Sequence, residues 1–159
     1  MKITRLLPLL IAVFAGAAAL VAAPAKTDPA VVAAVLAANA RLNDDANRLD
    51  TDAFFAGIVD SDESRIIQDG ELFPTRAEAM TAVRQGSRGI AKLERRFLNP
   101  HVVLLAPDVA LLTSEGTTDV TLADGRTFSN HFAVSLVFVF RDHRWLLQHG
   151  HYSLPNPSP

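Results

Sequence analysis

Apolar and polar residues along this chain follow two rhythms, and the change from one to the other divides it. From Ala30 onward Val32, Val35, Leu36, Leu42 and Leu49 recur at helical intervals, which predicts an amphipathic helix to about Arg48. Asp50 or Thr51 can cap a second, short helix running through Ile58 and burying Phe54, Phe55 and Ile58. Ser64 to Gln68 then reads as a strand, Asp69 and Gly70 as a tight turn, and Glu71 to Phe73 as the returning strand. Thr75 followed three residues later by Glu78 has the form of a capping box, opening a helix to about Ile90 with Ala79, Met80, Val83 and Ile90 as its apolar stripe.

Beyond that helix the period is two. Leu93 to Ala106 predicts one long strand bent near Pro100, and Val109 to Leu122 the next. A turn at Asp124 and Gly125 leads to Thr127–Phe140, and a turn at Asp142 and His143 to Arg144–Ser153. Three helices precede four long consecutive strands, so the expected class is α+β: a cone-like curved antiparallel sheet wrapped around three N-terminal helices.

Two-residue hairpins at both late turns would pair Ala123 with Arg126 and Arg141 with Arg144. Glu115, Val134 and His151 would then lie in one row across three strands, with Glu115 and His151 roughly 9–10 Å apart at the backbone. Phe132, Val134, Leu136, Phe138 and Phe140 would face the helices. Ala133, Ser135, Val137 and Val139, beside Leu146, Gln148 and Tyr152, would form a flatter apolar outer face. A second copy covering that face is the simplest remedy for its exposure, so a homodimer through the outer sheet face is expected.

In the last strand Trp145, Leu147, His149, His151 and Ser153 stand at every second position and should share one surface. The first two read as core and the last three as the polar mouth of a cavity. The expected ligand-binding set is therefore Trp145, His149, His151, Ser153, Phe132 and Val134, around a small organic molecule. His149 and His151 could hydrogen-bond a ligand, shuttle protons, ligate a metal, or be purely structural. Two histidines fall short of the three protein ligands of catalytic zinc, and no acid follows His151, so no metal is expected. Glu115 is either a general base on the floor of an apolar cone or a solvated residue on the convex side. His131 falls on the opposite face by this register, while Asp119 and Asn130 share the Glu115 face nearer the turn. Arg84 and Arg88, one helical turn apart, could reach an anion or simply be solvated.

The first 25 residues read as a secretory signal: Lys2 and Arg5, an apolar run from Leu6 to Val21, and Ala23-Pro24-Ala25 as cleavage site. Cleavage there would leave 134 of the 159 residues, one domain over residues 26–155 followed by a Pro-rich tail at 156–159. It would also leave no stable membrane anchor and place the protein in the periplasm or outside the cell. The mature chain would carry 13 basic residues, the 15 less Lys2 and Arg5, against 17 acidic ones. That balance argues against nucleic acid as a partner. The absence of cysteine excludes disulfides and thiol chemistry. Charge is uneven: Asp44 to Glu71 holds nine acids and two arginines, and Arg76 to Arg96 six bases and two glutamates. Such runs are solvated faces or a charged rim around an opening.

The order of elements, the Gln68-Asp69-Gly70-Glu71 hairpin, the Thr75 helix opening and the ending Trp145…His149-Gly150-His151-Tyr152-Ser153 together resemble the nuclear-transport-factor-2-like superfamily, particularly its SnoaL-like members. The ending is also similar to that of the calmodulin-dependent kinase association domain, an oligomerising member of the same fold. The resemblance covers about residues 30–155 and implies a cone-shaped cavity between sheet and helices, with no cofactor. It implies little about chemistry, because the fold serves isomerases, cyclases, dehydratases and non-catalytic proteins alike. Asp69 lies near the place where ketosteroid-isomerase relatives keep a catalytic aspartate, but the turn explains it. The first helix lacks the tyrosine those relatives use, since the one tyrosine is Tyr152. Three roles stay open: a module binding a small molecule; a cofactor-free isomerase, cyclase or hydratase using Glu115 or a histidine as general base; and an oligomeric scaffold.

Overall fold

The computed structural model describes residues 28–155; the leader read over residues 1–25 and the tail at 156–159 lie outside the described residues. Helix α1 spans Pro29–Asn47, with Asp28 as its N-cap accepting from the Ala30 amide and Pro29 in the first turn. Asp50 caps α2, Thr51–Ala56, through the Ala53 amide. A hairpin follows, β1 (Arg65–Gln68) and β2 (Glu71–Phe73), turned by Asp69 and Gly70, both at positive φ. Thr75 caps α3, Arg76–Gly86, by accepting from the Glu78 amide. This helix stops short of the expected Ile90. Gly89, at φ +84°, turns the chain into β3, Ile90–Ala106, which starts three residues earlier than the pattern suggested. Then come β4 (Val109–Leu122), β5 (Thr127–Arg141) and β6 (Arg144–Ser153).

The six strands form one sheet in the order β2-β1-β6-β5-β4-β3. All neighbours are antiparallel except β1 and β6, which run parallel, so the sheet is mixed rather than wholly antiparallel. The parallel pair arises because the early hairpin docks on the free edge of the last strand. One face of this sheet closes over the helices. Its core is built from Val35, Ala38 and Leu42 of α1, Phe55 and Ile58, and the sheet residues Leu112, Phe132, Val134, Leu136, Phe138 and Leu147. The inward set expected on β5 is present, save that Phe140 at its end is exposed.

The register differs from expectation at both long hairpins. Between β4 and β5 the Leu122 amide donates to the Arg126 carbonyl, so the loop holds Ala123, Asp124 and Gly125, with Gly125 at φ +87°. A three-residue loop closed by a left-handed glycine shifts pairing by one residue relative to a two-residue turn. Glu115 therefore faces Ala133, and Ser114 faces Val134. Between β5 and β6 the two-residue turn at Asp142 and His143 forms as expected, both residues at positive φ. Pairing holds as far as Phe138 with Leu147. The next pair is Val137 with His149, so Gln148 is an extra residue, a β-bulge. A bulge at Asn99 and Pro100 produces the bend expected in β3, with Asn99 at φ +51°.

Gly116 of β4 sits between Phe97 of β3 and Phe132 of β5, whose rings meet edge-on with centroids 5.4 Å apart. A Cβ at this glycine would collide with the Phe132 ring and with the Arg96 carbonyl, which belongs to the sheet backbone and cannot swing away. We therefore expect Gly116→Ala to destabilise the fold by about 3 kcal/mol, at the upper end of overpacking costs, measured as a fall in urea midpoint at constant slope.

Candidate functional site

The inward face and the helices enclose a chamber of about 570 Å³. Its helical wall consists of Phe54 and Phe55 of α2 with Ala79, Ala82 and Val83 of α3. Ile66 and Phe73 of the small hairpin close one side, and Leu93, Val120, Phe132 and Leu147 form the sheet wall. Polar groups gather on one row of that wall, where Arg95, Thr118 and Asn130 lie opposite one another on β3, β4 and β5. Tyr152 at the end of β6 joins them, its ring 6.3 Å from that of Phe132. Three carboxylates also line the chamber, all on exposed residues: Asp50, Asp69 and Glu71. Asp50 is engaged as the α2 cap.

The backbone of Arg95 is held from α1. Asn47 Oδ1 accepts from the Arg95 amide at 2.7 Å, while the side-chain amides of Asn43 and Asn47 both donate to the Arg95 carbonyl at 3.1 Å. Its guanidinium lies 5.1 Å from the Tyr152 ring centroid, 5.7 Å from that of Phe97 and 5.9 Å from that of Phe132.

The bulge at Gln148 determines where the expected site residues fall. Because the side-chain period of a strand is two, one inserted residue exchanges the faces beyond it. Trp145 and Leu147 point inward, as do Gly150 and Tyr152, which pair with Leu136 and Val134. His149, His151 and Ser153 pair with Val137, Ser135 and Ala133 and so stand on the outer face. The five residues do not share a surface, and His149 and His151 are not the mouth of the chamber. None of the five histidines in the sequence lines it. Of the expected ligand-binding set Phe132 alone does. Trp145 is buried near the far end of β6 against Phe140, ring centroids 5.5 Å apart. Val134 is core, at 5% exposure.

Glu115, His151 and Ser153 meet instead around a shallow depression of about 630 Å³ on the outer face, with Leu98, His101, Thr113 and Ser135. Glu115 is exposed, and it is offset from His151 by two strand spacings and two residues, roughly 12 Å at the backbone. The row of Glu115, Val134 and His151 is thus not formed. Asp119, also on this side, has its carboxyl held below the usual carboxylate value by the Ser129 hydroxyl at 2.6 Å and the Arg96 guanidinium at 2.8 Å. His131 is exposed on the outer face, so the register shift puts it on the same side as Glu115 rather than opposite it. Arg84 pairs with Asp52 on the surface.

Sequence reading did not single out Arg95 as a site residue, and it placed Tyr152 on the outer face. The signal for the first lay in the alternation Leu93, Arg95, Phe97, which puts one arginine on an otherwise apolar inward face. For the second no local pattern gave a signal: Gly150 and Tyr152 reach the inward face only through the bulge at Gln148.

A SnoaL-like domain model matches residues 35–157. The chain belongs to the SnoaL-like family. No curated protein matches its sequence. Among solved structures, this SnoaL-like chain is similar to a proposed dehydratase of the nuclear-transport-factor-2-like family from Streptomyces avermitilis. The two share 17% identity and a TM-score of 0.72, over 82% of this chain and 100% of the other. A proposed scytalone dehydratase from Novosphingobium aromaticivorans is similar at 8% identity and a TM-score of 0.73, over 79% and 85% of the two chains. A proposed calcium/calmodulin-dependent protein kinase II association domain from Xanthomonas campestris is similar at 19% identity and a TM-score of 0.66, over 85% and 93%. At these identities the likeness is one of fold.

Burial holds the His149 imidazole below the ordinary histidine value, and the neighbouring His151 adds to the effect. The unfolded chain then takes up a proton that the folded chain resists, so this contribution is complete above about pH 6.5 and is lost as pH falls below it. Urea midpoints should drop as pH falls below about 6.5, and His149→Gln should flatten that part of the profile.

Proposed function

We propose that this protein binds a small organic molecule in the chamber between its helices and its sheet. One observation carries the reading: about 570 Å³ of largely apolar space whose sheet wall carries Arg95, Thr118 and Asn130 in one row, the usual construction of a ligand pocket. Binding is favoured over catalysis by the position of the expected bases. Glu115 is solvated on the outer face, and the histidines lie outside the chamber. A cofactor-free isomerase, cyclase or dehydratase is the second reading, supported by the two fold neighbours proposed to be dehydratases; its base would be a chamber carboxylate such as Asp69.

Ala82 is half-buried on the helical wall of the chamber, and Ala82→Phe would occupy the space while leaving Arg95 and the sheet residues unchanged in sequence. Isothermal titration with 2-naphthol, a neutral aromatic probe, should show binding to the native chain and at least about tenfold weaker binding to the variant, the cost of occupying an apolar site with protein. Equal affinity in both, or none in the native chain, would overturn the chamber as the binding site.

We further propose that the outer face pairs with a second copy after export. Leu98, Val103 and Leu105 are exposed apolar residues of β3, and Ala133 and Ser135 stand exposed on β5, across the intervening β4, a surface suited to a flat isologous contact. Native mass spectrometry of the chain expressed with its leader should give a dimer of subunits lacking residues 1–25. Ala133→Arg should give monomers; a larger closed ring would favour the scaffold role instead.

A further inference from the structure

We propose that the chamber selects a ligand bearing a single carboxylate on an apolar, aromatic-sized body, and that Arg95 is the group that reads it. This rests on the reading that the chamber binds a small organic molecule, and it adds the chemical class. The fold satisfies its other well-placed arginines internally. Arg76 donates from Nε and Nη2 to the Phe55 carbonyl at 3.0 and 2.7 Å, Arg65 bonds carbonyls on either side of β1, and Arg96 pairs with Glu94 and Asp119. Arg95 is treated differently. Asn43 and Asn47 fix its backbone, and three aromatic rings surround its guanidinium, but among the described residues neither an ion pair nor a hydrogen bond engages that group.

Aromatic rings satisfy the faces of a guanidinium and leave its N–H edges free. A half-buried cation with unused donors, pre-oriented by its backbone and by packing, is a seat for an anion that can accept two parallel hydrogen bonds, and a carboxylate has that geometry. The exposed Asp50, Asp69 and Glu71, which also line the chamber, set the charge limit. They repel an incoming anion, more strongly the more charge it carries, so one carboxylate is admitted in preference to a phosphate or a dicarboxylate. The apolar wall formed by Phe54, Phe73, Leu93 and Val120 then takes the rest of the molecule.

The test is a matched pair of probes, 2-naphthoate and 2-naphthamide, titrated into the native chain at pH 7 and low salt. Naphthoate should bind at least about tenfold tighter, as a charge-assisted bidentate contact implies. Arg95→Gln should bring the ratio of the two affinities to about one, and Arg95→Lys should restore part of it, since a point charge lacks the fork. Equal affinities in the native chain, or a preference that survives Arg95→Gln, would overturn the role of Arg95 while 2-naphthol binding keeps the chamber as a site. If neither naphthoate, naphthamide nor naphthol binds, the chamber reading falls and this inference falls with it. The native-chain comparison decides the point even if an Arg95 variant folds poorly.

Discussion

Pairing between β5 and β6 steps by one residue at Gln148, and the distinction between the inside and the outside of the cone follows from that step. Hydrogen bonding along a strand edge is obligatory, and side chains alternate strictly, so an inserted residue can be absorbed only by exchanging the faces beyond it. Here the exchange coincides with a change of partner along the edge of β6. The Leu147 amide donates to the Gly57 carbonyl at 3.0 Å, and the Leu147 carbonyl accepts from Val59 at 2.9 Å. Beyond the bulge the same edge of β6 takes up β1 in parallel, starting at His149 with Arg65. The segment after α2 and the small hairpin thus occupy one edge in succession, with Gln148 at the junction. Its side-chain amide approaches Ser64 Oγ at 3.5 Å, and that buried hydroxyl in turn donates to the Val59 carbonyl at 2.6 Å.

The step brings Gly150 and Tyr152 inward beside Phe132 and sends two histidines out. Glycine at the inward position lets Ile66 of β1 and Leu136 of β5 approach each other over the backbone of β6. Tyr152 then completes the aromatic surround of Arg95, whose main chain α1 holds through two asparagine side chains. Helix, bulge and aromatic row therefore act on one point of the chamber wall. A long arginine side chain has many rotamers to lose; the clamp fixes the Arg95 main chain, and the three rings confine its guanidinium. On the opposite wall α2 and α3 supply apolar bulk and small residues, which leaves the space open rather than filled.

Local chemistry made much of the fold legible. The capping residues Asp50 and Thr75, the Asp69-Gly70 turn, the bend at Pro100 and the two-residue turn at Asp142 and His143 each act through their own or adjacent backbone groups, and each forms where the residues indicated. The period-two run Phe132, Val134, Leu136 and Phe138 gave the inward face of β5, because alternation within one unbroken strand needs no partner to define it. The candidate site was far less legible. His149 and His151 keep their spacing, Glu115 keeps its strand, and yet all three lie outside the chamber, since face depends on register accumulated across two hairpins.

What the sequence by itself determined is the kind, order and approximate ends of nearly every element and the family they compose, because helix periodicity, caps and turns are properties of contiguous residues. What only the tertiary structure decided is which side of the sheet each chemical group occupies. A three-residue loop closed by Gly125 and a bulge at Gln148 each shift pairing by a single position, and the second depends on edge contacts made by residues roughly ninety positions away in the chain. The same non-local packing gathers Arg95, Phe97, Phe132 and Tyr152 from three strands into one group. Their proximity is written in no single segment, for it exists only once the strands have been laid side by side.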